Sequence, residues 1–311
     1  MKQQKTEHPF DLIVITGPTA TGKTRLSAEL AAELDAEIIG ADSRQVYKGM
    51  DIGTGKDLAD YIVDGKLIPA HIIDMVEPGY EFNLFEFKRE FSRAFDHIRK
   101  REKQAILCGG TGLYIEAALA GYNVVEVPEN PELRKKLADM AHEELVEKLV
   151  SLRPLHNTTD ITSRERLVRA IEIETHQQSV NLEKFTPPDF NYIIFAIHFP
   201  RQVIRERITH RLNLRLENGL VEEIQRLLKS GLKAEQLMFY GLEYKYLTQY
   251  VTGEITYDQM FSLLNTAIHQ FAKRQMTWFR RMQRRGFVIH WIDGNLNNKK
   301  KIEIIKEKVC N

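Results

Sequence analysis

Short apolar runs of strand length alternate with segments of helical periodicity along most of the chain. The runs occupy residues 12–15, 37–40, 71–74, 105–108, 192–196 and 288–291. After the first run, Leu26, Leu30 and Leu34 recur every four positions, which is the spacing of a helix with one buried face. Strands alternating with helices are typical of a parallel sheet covered by helices. The pattern therefore predicts an α/β fold.

The same periodicity predicts where several helices lie. We expect a crossover helix over 82–100, one long helix from Pro200 to about Lys229 that Gly231 ends, and a helical pair across 257–285. Glycine just past a helix favours termination, because it adopts the left-handed backbone conformation without strain. The lysine-rich C-terminal tail is expected to form a last helix or to fray.

The pattern changes in the middle of the chain, where no alternation of strands is visible. Helical segments at 131–152 and 164–177 are separated by polar loops that contain proline. We therefore predict a small, mostly helical insertion domain within a larger core. The predicted boundaries are 1–121 with 190–311 for the core and 122–189 for the insertion.

The segment after the first apolar run fits the phosphate-binding spacing G-x-x-x-x-G-K-[ST]. Its eight residues are Gly17, Pro18, Thr19, Ala20, Thr21, Gly22, Lys23 and Thr24. In such a loop, backbone N–H groups and the helix N-terminus point at phosphate oxygens, and Lys23 adds a mobile cation. The Thr24 hydroxyl can ligate a Mg²⁺ ion that bridges the phosphates. The loop alone does not distinguish a kinase, an NTPase and a transferase of a diphosphate-bearing group.

Polar residues follow two other predicted strands, at the edge where ligands bind in open α/β sheets. Asp42 follows the strand 37–40, and three roles remain open for it: a Mg²⁺ ligand, a helix N-cap, or a general base. Glycines at 109–112 follow the strand 105–108 and allow a close approach to a ligand, where Thr111 offers a hydroxyl. That strand lacks the Asp-Glu pair that ATP-hydrolysing machines often carry, which weighs against a motor ATPase.

The most one-sided charge distribution lies at residues 268–285, which have six basic and no acidic residues from Lys273 onward. On a helix the basic residues share one arc: Lys273, Arg274, Arg280, Arg281, Arg284 and Arg285. The opposite arc is apolar and is assigned to the core: Ile268, Phe271, Ala272, Met276, Phe279 and Met282. A merely solvated face usually mixes charge signs. We therefore favour a phosphate-rich partner, which is RNA, the substrate's diphosphate, or both.

Composition describes an ordinary globular protein. The chain has 311 residues, of which 43% are hydrophobic and 28% charged, and its formal net charge is +1. Its two cysteines lie far apart in the sequence, so we expect no disulfide framework and a reducing compartment. No apolar run approaches the ~18 residues needed to span a bilayer, and the first residues lack the apolar stretch of a signal peptide. We therefore expect a cytoplasmic protein without a membrane partner.

Together these segments resemble one family closely, the tRNA dimethylallyltransferases, also called tRNA isopentenyltransferases. The matching stretches are GPTATGKT (17–24), ADSRQVYKGMDIGT (41–54), GGTGLY (109–114), RERLVRAIEI (164–173) and AKRQMTWFRR (272–281). They follow the family's order and cover most of the chain from residue 11 to 291. The resemblance implies a P-loop NTPase-like core with a parallel sheet flanked by helices, plus a small, mostly helical insertion domain.

The resemblance also implies a reaction and its partners. A dimethylallyl group would pass from dimethylallyl diphosphate to N6 of adenosine 37, beside the anticodon of a tRNA, giving N6-isopentenyladenosine. Mg²⁺ would be the cofactor, held at Thr24, and nucleotides such as ATP would suit the same loop. The expected partners are the tRNA anticodon stem-loop and dimethylallyl diphosphate, and the chain is expected to act as a monomer.

Roles for single residues follow from the same resemblance. Lys23 would stabilise the leaving diphosphate, Asp42 would accept the N6 proton or orient the amine, and Thr111 would fix the diphosphate or the flipped adenine. Further residues are expected to contact tRNA. They are Asp42, Ser43, Arg44, Gln45, Arg134, Glu165, Arg166, Leu167, Val168, Arg169, Lys273, Arg274, Gln275, Trp278, Arg280 and Arg281.

The chain departs from the family's pattern in three places. Gly55 and Asp57 stand where alanine and proline are usual, the segment 241–245 reads GLEYK in place of Ile-Gly-Tyr-Lys, and the TGxP motif is absent after Thr175. We expect these changes to concern the RNA-facing side more than the diphosphate site. They would then affect which tRNA is chosen.

Two other enzymes would share the phosphate loop. A small-molecule kinase would use Mg²⁺ and consume ATP, but it has no need of the basic C-terminal helix. A free-adenylate isopentenyltransferase would perform the same chemistry on a nucleotide, with little use for an RNA-binding insertion. A non-enzymatic RNA-binding protein is the third alternative, and Asp42 beside an intact loop weighs against it.

Overall fold

The computed structural model describes residues 9–120, 127–153, 161, 163–179 and 189–310. Its first part contains β1 (Leu12–Thr16), α1 (Lys23–Leu34), β2 (Ala36–Gly40), β3 (Ile62–Val63), β4 (Lys66–Leu67), β5 (Ala70–His71), α2 (Leu84–Lys100), β6 (Gln104–Gly109) and α3 (Gly112–Leu119). Three helices follow: α4 (Pro131–Ala138), α5 (His142–Leu152) and α6 (Arg164–Ser179). The last part contains β7 (Tyr192–His198), α7 (Arg201–Glu217), α8 (Leu220–Lys229), α9 (Ala234–Phe239), α10 (Leu242–Val251), α11 (Tyr257–Arg284), β8 (Ile289–Asp293) and α12 (Asn298–Cys310).

Six strands form one sheet in the order β5-β2-β6-β1-β7-β8, and all neighbours in it are parallel. The central strand β1 is fully buried, because helices cover both faces of the sheet. Leu12 and Val14 belong to the core on one face, whereas Ile13 and Ile15 belong to the core on the other. This double burial explains why the strand has a continuous apolar run. The predicted α/β fold with a parallel sheet is confirmed.

The register brings the carboxyl ends of three strands side by side. Thr16 at the end of β1 lies opposite Gly109 at the end of β6, and Gly40 at the end of β2 lies opposite Cys108. The Thr16 hydroxyl donates a hydrogen bond of 2.9 Å to the Gly109 carbonyl oxygen. The loops after β1, β2 and β6 therefore meet at one edge of the sheet, which is where they form the candidate site.

The chain divides into two compact units, Met1–Ala120 with Pro187–Asn311 and Gly121–Thr186. The sequence-based boundaries place the insertion at 122–189. The second unit has its own apolar core of leucine, isoleucine and alanine side chains from α4, α5 and α6. Beside this core, the buried Glu172 accepts two hydrogen bonds from Arg134 and one from Arg169, of 2.7 to 3.0 Å.

Several predicted helices have different limits. The prediction of one long helix from Pro200 to about Lys229 is wrong, because this segment forms two helices, α7 and α8. They are separated at Gly219, whose φ of 96° is outside the helical range. The expected pair across 257–285 is also wrong, since α11 is one helix of 28 residues. A capping box between Thr256 and Gln259 fixes its start. The apolar periodicity does not reveal the break at Gly219, because a single residue with a left-handed backbone conformation interrupts a helix without changing the apolar spacing.

Smaller differences concern strands and the tail. The strand expected at 71–74 is only β5, because Ile72 and Asp74 have φ angles of 60° and 52°, which strand pairing does not allow. The segment expected as one helical piece at 131–152 is two helices, α4 and α5. The lysine-rich tail forms α12, so the expectation of a terminal helix is confirmed. Among the described helices, none is both long enough and apolar enough to cross a bilayer.

Candidate active site

The loop between β1 and α1 has the backbone of a phosphate cradle. Gly17, Ala20 and Gly22 all have positive φ angles, of 148°, 63° and 76°. A side chain at Gly17 would lie 2.7 Å from the carbonyl oxygen of Ile197, so glycine is required there. The Thr21 hydroxyl donates 2.9 Å to the Pro18 carbonyl oxygen and fixes the turn. This geometry leads directly into the N-terminus of α1, where an anion is favoured.

Lys23 and Thr24 line one pocket together with Asp42. Lys23 Nζ donates to the Pro18 carbonyl oxygen at 3.3 Å, so the ammonium lies over the loop. Burial lowers the pKa of Lys23, while Cys108 and Asp42 act in the opposite direction. An ammonium group in a pocket, with one carbonyl oxygen as its hydrogen-bond partner among the described residues, is well suited to receive an anion.

The pocket has the oxygen donors that Mg²⁺ prefers. The Thr24 hydroxyl has no hydrogen-bond partner among the residues described, and the Asp42 carboxylate lines the same pocket. No group of three or more His, Cys, Asp or Glu side chains in the described part of the chain is placed to hold a metal. A Mg²⁺ ion would therefore take most of its ligands from phosphate oxygens and water, as is usual for this ion.

Asp42 stands at the meeting point of the loops after β2 and β6. One of its carboxylate oxygens accepts a hydrogen bond of 3.1 Å from the Arg44 N–H. Turns rather than a helix follow it, so a role as helix N-cap is excluded. The next N–H, of Ser43, donates 3.1 Å to the Thr111 hydroxyl, and the Thr111 N–H donates 3.2 Å to the Ala41 carbonyl oxygen. These hydrogen bonds join the two loops, and Asp42 and Thr111 follow the ends of the neighbouring strands β2 and β6.

Arg211 of α7 lies in this pocket, although the sequence analysis assigns it no role. Its guanidinium donates a hydrogen bond to the Thr19 hydroxyl in the phosphate loop. Burial, with Arg215 nearby, lowers the pKa of Arg211 to about 10, which still leaves it charged at neutral pH. The spacing of Arg211 and Arg215 by one helical turn is a signal in the sequence, but it does not reveal which face of α7 meets the loop.

Helix α11 is fixed to both glycine loops by Gln275. Its side-chain oxygen accepts 2.8 Å from the Thr19 N–H, and its amide nitrogen donates 2.8 Å to the Gly110 carbonyl oxygen. Trp278 packs on Gly112, where a side chain would lie 2.3 Å from the indole ring. Gln275 is buried, and its amide bridges the two loops. Its predicted contact with tRNA stays a prediction.

The basic arc of α11 separates into two groups. Arg281 and Arg285 form ion pairs of 2.9 and 2.5 Å with Glu116, which is buried in α3. Arg281 also stacks over Trp278, with its guanidinium carbon 3.8 Å from a ring centroid. By contrast, Lys273, Arg274, Arg280 and Arg284 are exposed and form no ion pair with any residue that the structure describes. The apolar arc is confirmed with one exception, since Phe271 is 39% exposed and is not part of the core.

Arg44 and Gln45 follow Asp42 and lie close to the pocket. Gln45 lines it and donates 3.0 Å to the Gly55 carbonyl oxygen, which fixes its amide. Arg44 lies over the ring of Phe239, 5.3 Å from its centroid. Both residues are partly exposed, and their predicted contact with tRNA stays a prediction.

In the second unit, the residues predicted to contact tRNA differ in exposure. Glu165 and Arg166 are exposed on α6, and Val168 is partly exposed. Leu167 is fully buried in the apolar core that side chains of α4, α5 and α6 form in this unit. Arg134 and Arg169 both bind Glu172, so their charges are already partly compensated. Arg166 is thus the cation of this set whose side chain has no hydrogen bond among the described residues.

Two of the three departures from the family's pattern lie around Arg215. Gly55 lines the phosphate pocket, and a side chain there would lie 2.1 Å from Arg215 Nη2. The carboxylates of Asp57 and Glu243 are 3.9 and 3.8 Å from the same guanidinium, which is buried. Asp57 also lines the pocket. Gly55 and Asp57 therefore lie beside the phosphate loop as well as beside Asp42 and Gln45, and their expected effect on the choice of tRNA stays a prediction.

The chain is similar to proteins of one family over most of its length. The family model described as IPP transferase matches residues 45–282, and that described as isopentenyl transferase matches residues 10–66. A protein of Bacteroides fragilis named tRNA dimethylallyltransferase 2 is 53% identical over 300 residues, which cover 96% of this chain and 98% of that protein. A Geotalea uraniireducens protein named tRNA dimethylallyltransferase 1 is 55% identical over 286 residues, covering 92% and 93%.

Solved structures are similar over almost the whole chain. The full-length tRNA isopentenylpyrophosphate transferase of Bacillus halodurans has a TM-score of 0.70 and 30% identity, covering 96% of this chain and 95% of that one. A eukaryotic dimethylallyltransferase acting on tRNA has a TM-score of 0.78 and 24% identity, covering 96% and 79%, and this likeness concerns the fold. With a family model over most of its length and relatives above 50% identity, this chain belongs to the IPP transferase family.

Proposed function

We propose that this protein is a tRNA dimethylallyltransferase. It transfers the dimethylallyl group of dimethylallyl diphosphate to N6 of adenosine 37, beside the anticodon of a tRNA. The observation that carries this proposal is the bridge of Gln275 between Thr19 and Gly110. It attaches the helix that bears the exposed cations Lys273, Arg274 and Arg280 directly to the phosphate loop. A site for a diphosphate and a surface for a polyanion are thereby combined in one rigid arrangement.

The phosphate loop holds the diphosphate and stabilises it as it leaves. Backbone N–H groups of the loop and the cations of Lys23 and Arg211 surround the pocket, so the charge that develops on the leaving oxygen meets fixed positive groups. Thr24 would hold a Mg²⁺ ion. When bound, such an ion neutralises phosphate charge and lowers the basicity of the leaving group.

The transfer step itself needs one proton acceptor. The lone pair of N6 attacks C1 of the dimethylallyl group, the C1–O bond breaks, and its electron pair leaves with the diphosphate. The nitrogen then carries an extra proton, which Asp42 accepts. The hydrogen bond from the Arg44 N–H holds the Asp42 carboxylate in place for this role. Thr111 is tied to the same loop through the Ser43 N–H and would position the adenine or the diphosphate.

The adenine must leave its stack to reach the pocket, because a base within a stacked loop does not expose N6 to a buried site. Arg44 and Gln45 lie beside Asp42 and can contact the extruded base. The exposed cations of α11 and Arg166 of the second unit would bind backbone phosphates. Such contacts position the RNA without reading its sequence.

The experiment compares three acceptors with one enzyme preparation. Purified protein is incubated with Mg²⁺ and dimethylallyl diphosphate together with unmodified tRNA, an anticodon stem-loop, or AMP. Nucleosides are then analysed by mass spectrometry. We expect N6-isopentenyladenosine from both RNA substrates, at the adenosine beside the anticodon, and none from AMP.

Each alternative enzyme predicts a different product. Prenylation of AMP at a rate equal to that of tRNA would identify a free-nucleotide isopentenyltransferase. Transfer of the γ-phosphate of ATP to a small acceptor would identify a kinase and contradict the proposal. A stem-loop with guanosine at the target position is the matched control, because it keeps the phosphates and removes the N6 amine.

A further inference from the structure

A second cleft shares Thr21 and Gly22 with the phosphate pocket but is otherwise formed by different elements. Its remaining walls come from α1, α7, the segment 294–296 and the start of α12. Its volume is about 480 Å³, which lies within the ~300–1,000 Å³ range of small-molecule sites. Neither Lys23 nor Asp42 lines it, so this cleft, which we call the rear cleft, is not part of the transfer site.

The rear cleft contains a lysine whose side chain is largely buried. Lys301 of α12 lines the cleft, and its residue surface is only 5% exposed. Its Nζ forms no hydrogen bond and no ion pair with any residue that the structure describes. Burial and the nearby Arg207 lower the pKa of Lys301, against the opposing carboxylates of Asp293 and Glu29. An ammonium group on a largely buried side chain, without an ion-pair partner among the described residues, would be stabilised by an anion in the cleft.

The carboxylates near Lys301 are engaged elsewhere. Glu29 accepts hydrogen bonds from Arg25 at 2.6 Å and from the Asn298 side chain at 2.8 Å. Asp293 accepts hydrogen bonds of 2.9 and 3.0 Å from the N–H and the side chain of Asn295. Lys301 therefore does not have either carboxylate as a direct partner.

A second cation faces the same space. Arg207 of α7 lines the cleft and donates through Nε to the Ala20 carbonyl oxygen at 2.9 Å. The Arg207 guanidinium carbon is 4.6 Å and Lys301 Nζ is 6.0 Å from the centroid of the Phe199 ring. The two cations therefore approach one side chain from within the same cleft. The charge of Arg207 acts to lower the pKa of Lys301, so the two cations repel each other, and an anion in the cleft would relieve this repulsion.

The start of α12 adds partial positive charge. The helix has 13 residues and begins at Asn298, which lines the cleft. The Asn297 side chain accepts from only one of the first-turn amides, that of Lys300, at 2.9 Å. Amides of a helix N-terminus and neighbouring cations form a common environment for phosphate.

We propose that the rear cleft binds a phosphate or diphosphate group of a small molecule, held by Lys301, Arg207 and the N-terminus of α12. The proposal concerns binding only and does not rest on the transfer reaction. Because Arg207 also holds the Ala20 carbonyl oxygen, a ligand here is in direct contact with a residue that supports the phosphate loop. Free diphosphate and the phosphates of a nucleotide are two sources of the same chemistry.

The test measures ligand binding in a full-length Lys23→Ala background, which weakens the phosphate loop's own site. Inorganic phosphate, inorganic diphosphate and AMP are titrated separately by isothermal calorimetry. We expect saturable binding of at least one of the three. Adding Lys301→Gln should weaken that binding on the order of tenfold to a hundredfold, the range for loss of a charge-assisted contact. The ligand with the highest affinity identifies the source.

Two further variants control the measurement. Lys299→Gln changes the same charge on an exposed position of α12 and should leave binding within about twofold of the background, as expected for a screened surface charge. Arg207→Gln tests the site independently if Lys301→Gln fails to fold, as judged by circular dichroism. The proposal is overturned if none of the three probes binds saturably, or if Lys301→Gln and Arg207→Gln bind as the background does. Weakened tRNA binding with no small-molecule binding would assign the cleft to RNA and would also overturn it.

Discussion

At the scale of single residues, the candidate site combines groups that differ in how firmly they are held. The Asp42 carboxylate accepts a hydrogen bond from the Arg44 N–H, and the Thr111 hydroxyl accepts one from the Ser43 N–H. Arg211 is partly buried and donates a hydrogen bond to Thr19, so its charge belongs to the pocket. In the proposed mechanism Asp42 accepts a proton, whereas Arg211 binds the diphosphate. Substitutions of the two residues should therefore change different kinetic parameters.

Asp42→Asn removes the proton acceptor but keeps the size and one hydrogen-bonding oxygen of the side chain. We expect turnover to fall by ~10²-fold or more, the usual scale for a positioned base, while both substrates still bind. Single-turnover rates with saturating tRNA and dimethylallyl diphosphate measure the change. Asp64→Asn, at an exposed turn, is the matched control. A single-turnover rate near that of the wild type would remove Asp42 from the proposed mechanism.

Arg211→Gln should act on the diphosphate and not on tRNA. Loss of a charge-assisted contact of about 1.5–3 kcal/mol corresponds to an increase of about 10- to 150-fold in the KM for dimethylallyl diphosphate. The KM for tRNA should stay within about twofold, because the Arg211 guanidinium binds Thr19 in the phosphate pocket. Steady-state kinetics with each substrate varied in turn provide the test, with the exposed Arg205→Gln on the same helix as control. Equal increases in both KM values would contradict this assignment.

At the scale of elements, α11 has two functions on one basic arc. Its exposed cations face solvent, whereas Arg281 and Arg285 neutralise the buried Glu116 of α3. The arginines that hold Glu116 therefore stabilise the fold, and the exposed group is free for a polyanion. A helical wheel places both groups on the same side of the helix. It does not distinguish them, because it contains no information on which neighbouring element packs against that side.

Replacing Lys273, Arg274 and Arg280 by Gln should weaken tRNA binding and flatten its salt dependence. Three lost phosphate contacts reduce the slope of log K against log salt by roughly two to three units. Filter binding at several salt concentrations gives the slope. The melting temperature should be almost unchanged, because the three side chains are exposed. An unaltered slope would show that this face does not bind the tRNA backbone.

Replacing Arg281 and Arg285 by Gln should instead lower stability. A buried carboxylate left without its partners costs at least about 2 kcal/mol, which chemical denaturation can measure. Adding Glu116→Gln should recover part of this loss, since the stranded charge is then removed. A double variant as stable as the wild type would mean that Glu116 has sufficient other partners.

At the scale of the whole molecule, the chain consists of two compact units with separate cores. Burial acts to raise the pKa of Glu172 in the second unit, but bonds from Arg134, the Asn130 N–H and Arg169 outweigh it and lower the pKa to about 2. A carboxyl with a lower pKa in the folded state adds stability above its unfolded pKa. That contribution is lost as the pH falls from about 4.5 to about 2.

The second unit should therefore lose up to about 3 kcal/mol of stability in this acidic window. Amide hydrogen exchange of α5 and α6, measured between pH 2.5 and 6, reports on this unit separately from the core. In Glu172→Gln the acid-dependent loss should be absent, and stability should be lower at neutral pH. The exposed Glu165→Gln on the same helix should keep the wild-type profile. Identical pH profiles for all three proteins would contradict the role of Glu172.

The sequence alone determined the features that depend on neighbours along the chain. The phosphate loop between a strand and a helix, Asp42 after β2, the glycines after β6 and the α/β fold follow from local spacing, because such motifs need only a few consecutive backbone angles. The tertiary structure decided the contacts between distant positions: Arg211 on Thr19, Gln275 between two loops, Glu116 with two arginines, and the pocket that surrounds Gly55. Helical periodicity fixes which residues share a face, but it leaves open which element that face meets. That choice depends on the packing of the whole core, and here it divides the basic arc of α11 into two arginines paired with Glu116 and exposed cations without such a partner.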